Sequence, residues 1–155
     1  VSLSIEPRDD GRVETWWLDR PAARNSITLS MWAELAAAAE RVRANRHVRV
    51  VVVRGRGEHF SAGADIVGLG RDLAADHAPS NYRTVNATAE RAVATLPLPV
   101  IAAIDGYCVG GGVQLALACD LRLATPAARF AVTPAKLGIA YPAGSIRRLV
   151  AVVGP

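Results

Sequence analysis

The segment Val48 to Arg54, VRVVVVR, constrains the fold more than any other stretch of the chain. It is β-branched and nearly continuous in hydrophobicity, as a strand covered on both faces must be, since a half-exposed strand would alternate apolar and polar residues. Val100 to Ile104, VIAAI, reads the same way. Buried strands of this kind belong to parallel sheets, whose strands need long crossovers, usually helices. The intervening sequence supplies them. From Leu29 to Ala44 the larger apolar residues Met31, Leu35 and Val42, with Ala38 and Ala39 between them, share one face at helical spacing, and Thr28 is placed to cap the first turn. A second helix is expected from Tyr82 to about Leu96, ended by Pro97 and Pro99. Shorter helices are expected at Val113 to Ala118 and Ser145 to Val153, and an earlier strand at Val13 to Leu18. Strands alternating with helices make this an α/β chain, and the lack of a fixed period or heptad run excludes solenoid and coiled-coil architectures.

With 155 residues, 51% of them hydrophobic, the chain can bury one core and is too short for two ordinary domains. No apolar run approaches the roughly eighteen residues of a membrane span, and the start, VSLSIEPRDDG, lacks the basic and apolar stretches of a signal peptide. A cytoplasmic protein is expected. The chain has no initiator Met and stops at VVGP just after a helix pattern, so a fragment or an incompletely represented chain is expected. Cys108 and Cys119 sit in apolar sequence without metal-ligand spacing and read as buried free thiols, with no disulfide and no metal expected. His47, His59 and His77 are scattered and form no ligand cluster by spacing. The net charge of +4, almost all of it arginine with Lys136 the single lysine, suits an anionic ligand but is too small to identify one.

Two loops follow buried strands and bring small residues to their exits: HFSAGADI, His59 to Ile66, within the longer loop Gly55 to Gly70, and GYCVGGGVQLA, Gly106 to Ala116. Small residues let a ligand approach the backbone, and free N–H groups at a helix start can bind an anion or a developing oxyanion. Either loop alone could be a tight turn; two on successive strand exits point to a site. A polar stretch around Asp76 to Ser80 separates the first loop from the second helix. No GxGxxG, P-loop, GxSxG or HExxH is present, which argues against dehydrogenase, NTPase, serine-hydrolase and zinc-protease chemistry.

These residues carry a resemblance to the enoyl-CoA hydratase/isomerase (crotonase) family. LDRPAARNSIT resembles its L-x-R-P-x-x-x-N segment, HFSAGADI its F-x-A-G-A-D-[IL] loop, and GYCVGGGVQLALACDLRLA its G-x-x-x-G-G-G-x-E-L-A-x-x-C-D segment. The motifs lie in the family's order and spacing over nearly the whole chain. The resemblance implies a spiral of β-β-α turns forming an acyl-CoA-binding core over 1–155, with C-terminal trimerisation helices beyond it and assembly into trimers or hexamers. It implies coenzyme A as part of the substrate, with no separate cofactor. Two backbone N–H groups that clasp the thioester oxygen are expected at Ala62 and Gly111, and one such donor is often worth about 3 kcal/mol in the transition state. Coenzyme and acyl group are expected along Ala22, Arg24, Gly63, Ala64, Asp65, Ile66, Tyr107, Gly110, Gln114 and Pro134, with Asp65 also capping its loop.

The chain departs from the family's hydratases at both of their glutamates. Gln114 occupies the first position, and in FAVTPAKLG, where hydratases read F-G-x-P-E-x-x-L-G, Pro134 occupies the second. Gln can orient a water but cannot take its proton, and Pro can do neither. Hydration is expected to be impaired, and decarboxylation or another enolate reaction without a base at these positions is favoured. TPAKLGIAY resembles the T-P-x-x-L-G-x-x-Y stretch of methylmalonyl-CoA decarboxylases, which makes Tyr141 a candidate catalytic group facing a carboxylate, although those enzymes carry His at the position of Ala64. Hydratase or isomerase activity and an idle acyl-CoA binder are the alternatives. RNA binding through Arg41, Arg43, Arg46 and Arg49 is disfavoured because their spacing spreads them over different helix faces.

Overall fold

The computed structural model describes residues 2–68, 79–138 and 140–155. The expected polar stretch at Asp76 to Ser80 therefore lies largely outside the described residues, as do His77 and the end of the Gly55 to Gly70 loop. Five strands form the main sheet in the order β1-β2-β3-β4-β6: β1 (Leu3–Arg8), β2 (Val13–Leu18), β3 (Val50–Gly55), β4 (Val100–Ile104) and β6 (Leu121–Ala124). β1 and β2 are antiparallel, joined by a tight turn through Asp9, Asp10 and Gly11, all at positive φ; the remaining pairs are parallel. The β-branched run of β3 runs between β2 and β4, with Val51 and Val53 completely buried.

Two short strands, β5 (Tyr107–Val109) and β7 (Arg129–Ala131), form a second parallel pair, which an isolated bridge from Ser61 to Cys108 extends. The chain thus passes from β4 to β5 and into the helix Gly111–Ala118, then from β6 to β7 and into the helix Ala143–Val153. β4 pairs in parallel with β6 and β5 with β7, so each β-β-α turn stacks on the one before. That is the spiral the family resemblance implies, in its N-terminal part.

Helices α1 (Leu29–Ala44) and α2 (Pro79–Ala94) pack on each other. Thr28 caps α1 as its position predicts, its side chain accepting the Met31 N–H at 3.1 Å. The face of α1 carrying Met31, Trp32, Leu35, Ala39 and Val42 is buried with Trp16, Leu18, Ile27 and Phe60 in one core, and each large apolar side chain there contributes about 1.5–3 kcal/mol. The remaining helices are α3 (Gly111–Ala118), buried along its entire length, and α4 (Ala143–Val153). Both cysteines are buried thiols, and loss of hydration pushes each of them up to about 12.

The early strand expected at 13–18 and the helix at 29–44 lie where the sequence places them, and β3 is shifted by about two residues from its expected start. α2, α3 and α4 begin two or three residues earlier than expected. No helix among the described residues is long and apolar enough to cross a membrane.

Candidate functional site

The two glycine loops meet, and their geometry follows from backbone hydrogen-bond bookkeeping. Residues 61–65 are laced like a strand between two neighbours. On one side the Ala62 N–H donates to the Arg24 carbonyl at 2.9 Å, the Ile27 N–H to Gly63 at 2.7 Å and the Asp65 N–H to Ile27 at 3.0 Å. On the other side the Ser61 N–H donates to Tyr107 at 2.8 Å and the Val109 N–H to Ser61 at 2.9 Å. Gly63 N–H is taken by the Ser61 hydroxyl, which itself donates to the Asn25 carbonyl. Among the described residues this leaves the N–H of Ala64 unspent, together with that of Gly111 at the first turn of α3.

Those two groups lie side by side. A Cβ built on Gly111 would be 3.4 Å from the Ala64 nitrogen and 3.4 Å from Trp32 Cζ2, and one built on Gly63 would be 3.4 Å from the Gly111 nitrogen. At position 63 only glycine fits, since a Cβ there would lie 2.8 Å from the Val109 carbonyl oxygen, and Gly63 at φ +100° and Gly110 at φ +49° also need the backbone freedom. The expectation that Ala62 is an oxyanion donor is corrected here: its N–H is bound to Arg24, and the free donor of the loop is two residues later, at Ala64. Gly111 opens α3 with its N–H likewise unspent. The partial positive charge at the start of α3 adds to the attraction for an anionic oxygen.

Asn25 holds the loops in register. It is fully buried at φ +55°, accepts the Arg20 N–H at 2.9 Å, and donates to the carbonyls of Arg56 and His59. Asp65 pairs with Arg20 at 3.1 Å and accepts the Gly68 N–H at 3.4 Å, so its carboxylate ties the end of this loop to the connection between β2 and α1. Ala22, Arg24 and Tyr107 are exposed at the rim, where the Arg24 guanidinium lies 5.7 Å from the Tyr107 ring centre and His59 stacks on the same ring at 4.5 Å. Ile66, at the end of the same loop as His59, is 55% exposed.

Tyr141 does not present a free hydroxyl. Its O–H donates to the Gly110 carbonyl at 2.9 Å, and burial pushes its pKa far above the ordinary tyrosine range. Pro134 begins a short 3-10 turn, Pro134–Leu137, whose preceding residue Thr133 lies 3.7 Å from where a Gly110 Cβ would be. Gln114 is buried and looks toward α2: its Oε1 is 3.5 Å from Asn86 Nδ2, and its Nε2 donates to the Ser145 hydroxyl at 3.2 Å. Of the arginines considered for RNA, Arg41 is bound to the buried Glu14 and Arg43 to the Thr95 carbonyl and hydroxyl.

Sequence reasoning missed Glu90. This α2 carboxylate is 4% exposed, accepts Ser145 Oγ at 3.0 Å and Arg148 Nη1 at 2.9 Å, and is raised above the ordinary carboxylate range chiefly by burial. The available signal was the register Tyr82, Asn86, Glu90, four residues apart and hence on one helix face.

The chain is similar to known proteins in both sequence and structure. A family model described as Enoyl-CoA hydratase/isomerase matches residues 11–155. The chain is 39% identical, over its full length and 58% of the relative's, to the "Probable enoyl-CoA hydratase EchA14" of Mycobacterium tuberculosis. It is 34% identical to the mitochondrial Delta(3,5)-Delta(2,4)-dienoyl-CoA isomerase of Mus musculus over 88% of the chain and 45% of that protein. The crystal structure of an enoyl-CoA hydratase/carnithine racemase from Magnetospirillum magneticum superimposes with a TM-score of 0.89 at 36% identity, covering 99% of this chain and 59% of that one. The chain therefore spans about half the length of such relatives, from 45% to 59%.

Proposed function

The chain belongs to the enoyl-CoA hydratase/isomerase family, and from that premise we propose that it is the N-terminal part of an enzyme that binds an acyl-CoA and stabilises its thioester enolate between the N–H groups of Ala64 and Gly111. The observation that carries this reading is the pair of adjacent, unspent N–H groups of Ala64 and Gly111, brought together by the two glycine loops. When the α-carbon of a thioester loses a proton or a carboxyl group, negative charge develops on the carbonyl oxygen. Fixed donors away from water stabilise that charge without reorganising, and each contributes about 3 kcal/mol. The exposed rim at Ala22, Arg24, Tyr107 and Ile66 is the proposed seat of the coenzyme. We further propose a cytoplasmic protein that assembles as a trimer or hexamer through its C-terminal part.

Decarboxylation, or another enolate reaction that needs no carboxylate at Gln114 and Pro134, is the reaction these two side chains support. Loss of carbon dioxide creates the enolate directly, and the donors do the rest. Hydration or double-bond isomerisation is the second reading, favoured by the names of the relatives and by the buried carboxylate of Glu90 beyond Gln114. Mass spectrometry of the complete protein incubated in parallel with methylmalonyl-CoA and crotonyl-CoA separates them. Propionyl-CoA with little change in crotonyl-CoA supports the first reading, 3-hydroxybutyryl-CoA supports the second, and failure of both thioesters to bind removes the acyl-CoA assignment.

A further inference from the structure

A column of buried polar side chains begins beside the two free N–H groups and runs into the protein. Trp32, which a Gly111 side chain would touch, donates its Nε1–H to the Tyr82 hydroxyl at 3.0 Å. One turn along α2 from Tyr82 is Asn86, opposite Gln114; one turn further is Glu90, opposite Ser145. Gln114 lies three residues after Gly111 on α3, hence on the same face of that helix. Gln114 joins the two halves, because its Nε2 donates to the Ser145 hydroxyl at 3.2 Å while that hydroxyl donates to Glu90.

Asn86, Glu90, Gln114 and Ser145 are each no more than 6% exposed. Burying four polar side chains costs free energy that an apolar lining would avoid, and a pocket for a plain hydrocarbon chain has no use for them. A buried carboxylate joined by a hydroxyl to Gln114, which lies three residues after the Gly111 donor, is an arrangement able to hold and pass a proton. Arg148 from α4 balances its charge at 2.9 Å, and the side chains of Tyr141 and Tyr82 are the other titratable groups that feel it.

Resting on the acyl-CoA reading above, we infer that Ser145 and Glu90 form the proton relay of this site, replacing the carboxylates absent at Gln114 and Pro134. In the forward sense an α-carbon C–H bond breaks, its proton passes to Ser145 Oγ, and the Ser145 proton passes to Glu90. The electron pair moves onto the thioester oxygen held by Ala64 and Gly111. In reverse, Glu90 returns its proton through Ser145 to the α-carbon, the step any enolate left by decarboxylation also needs. Glu90 acts through Ser145 and is a positioning residue that stores the proton. Its burial, which favours the protonated form, suits it to hold a proton better than an exposed glutamate would.

Exchange of the α-hydrogens of butyryl-CoA for deuterium tests this, with the complete protein in deuterium oxide and incorporation read by mass spectrometry. The unmodified protein is expected to exchange, at a rate rising with pH through a midpoint above the ordinary carboxylate range. Glu90→Gln and Ser145→Ala should each slow exchange by about 10²-fold or more while butyryl-CoA affinity by calorimetry stays within about threefold, and Glu90→Asp should recover part of the rate. Ser145→Ala keeps the Glu90–Arg148 pair, so it decides the matter if Glu90→Gln fails to fold. Exchange at the unmodified rate in Ser145→Ala, loss of binding together with exchange in that variant, or binding without exchange in the unmodified protein would each overturn the relay. Absence of butyryl-CoA binding by the unmodified protein would overturn the acyl-CoA reading itself.

Discussion

The Tyr141 hydroxyl is bound to the Gly110 carbonyl oxygen at 2.9 Å, one residue before the free N–H of Gly111. The same carbonyl accepts the Gln114 N–H at 3.1 Å, so Tyr141 steadies the peptide that aims the Gly111 donor. Tyr141→Phe is expected to cost about 1 kcal/mol of stability in urea titrations, the usual net value of one neutral hydrogen bond. Turnover should fall less than about tenfold with KM unchanged, as for a slightly misaimed donor. A loss beyond about 10³-fold at unchanged stability would place the hydroxyl on the substrate instead.

Gly111 and its neighbour Gly112 separate chemistry from packing. A Cβ at 111 meets Ala64 N and Trp32 Cζ2 at 3.4 Å, tight but tolerable, whereas a Cβ at 112 meets Ser61 Cβ and its carbonyl oxygen at 2.9 Å. Gly111→Val should reduce turnover by about 10²-fold or more through the narrowed donor pair, with little change in melting temperature. Gly112→Ala should destabilise the fold by about 1–3 kcal/mol by overpacking. Kinetics and thermal melting of both variants check the contrast; full activity in Gly111→Val would remove the N–H pair as the site.

Asn25→Ala tests the loop register. The substitution removes a fully buried side chain that bonds Arg20, Arg56 and His59, and puts alanine at φ +55° where asparagine is tolerated better. Leaving buried backbone groups unpaired should cost about 2–4 kcal/mol in chemical denaturation. A cost under about 0.5 kcal/mol would mean the loops hold their geometry without it.

How much of this was legible follows from which interactions leave a one-dimensional trace. β3 and β4 were readable because strands buried on both faces are continuously apolar, and α1 because its stripe and its Thr28 cap are local. β1 was missed: it is an edge strand, half exposed and carrying Pro7, so it shows little hydrophobic pattern. β5, β6 and β7 have three or four residues, too few for a period to register. The two glycine loops were visible as a site, yet Ala62 and Ala64 flank Gly63 symmetrically in sequence. Only the bond from Ala62 to Arg24, across distant segments, decides which donor is free. Glu90 stayed hidden because a glutamate in a helix reads as a solvated face until α4 is known to cover it.

Glu14 yields a pH prediction with a definite sign. The side chain is 5% exposed in β2, accepts the Trp16 Nε1–H at 2.9 Å, and is paired with Arg41, whose guanidinium is the first cause holding its pKa below the ordinary carboxylate value. Between the lowered folded value and the ordinary value near about 4.3, the unfolded chain binds more protons than the folded one. The stabilisation is therefore complete above the ordinary value and is lost as pH falls through the folded one. Glu14→Gln removes the titration while keeping the shape. Because the Arg41 side chain is 46% exposed and can rehydrate, the substitution should cost only about 1–3 kcal/mol at pH 7, short of the cost of breaking a fully buried pair. That gap between the parent and Glu14→Gln should narrow in urea titrations repeated at about pH 3.5, as protonation begins to remove from the parent what the substitution has already removed. A gap that stays constant between the two pH values would mean that Arg41 and Glu14 stabilise the fold by packing alone.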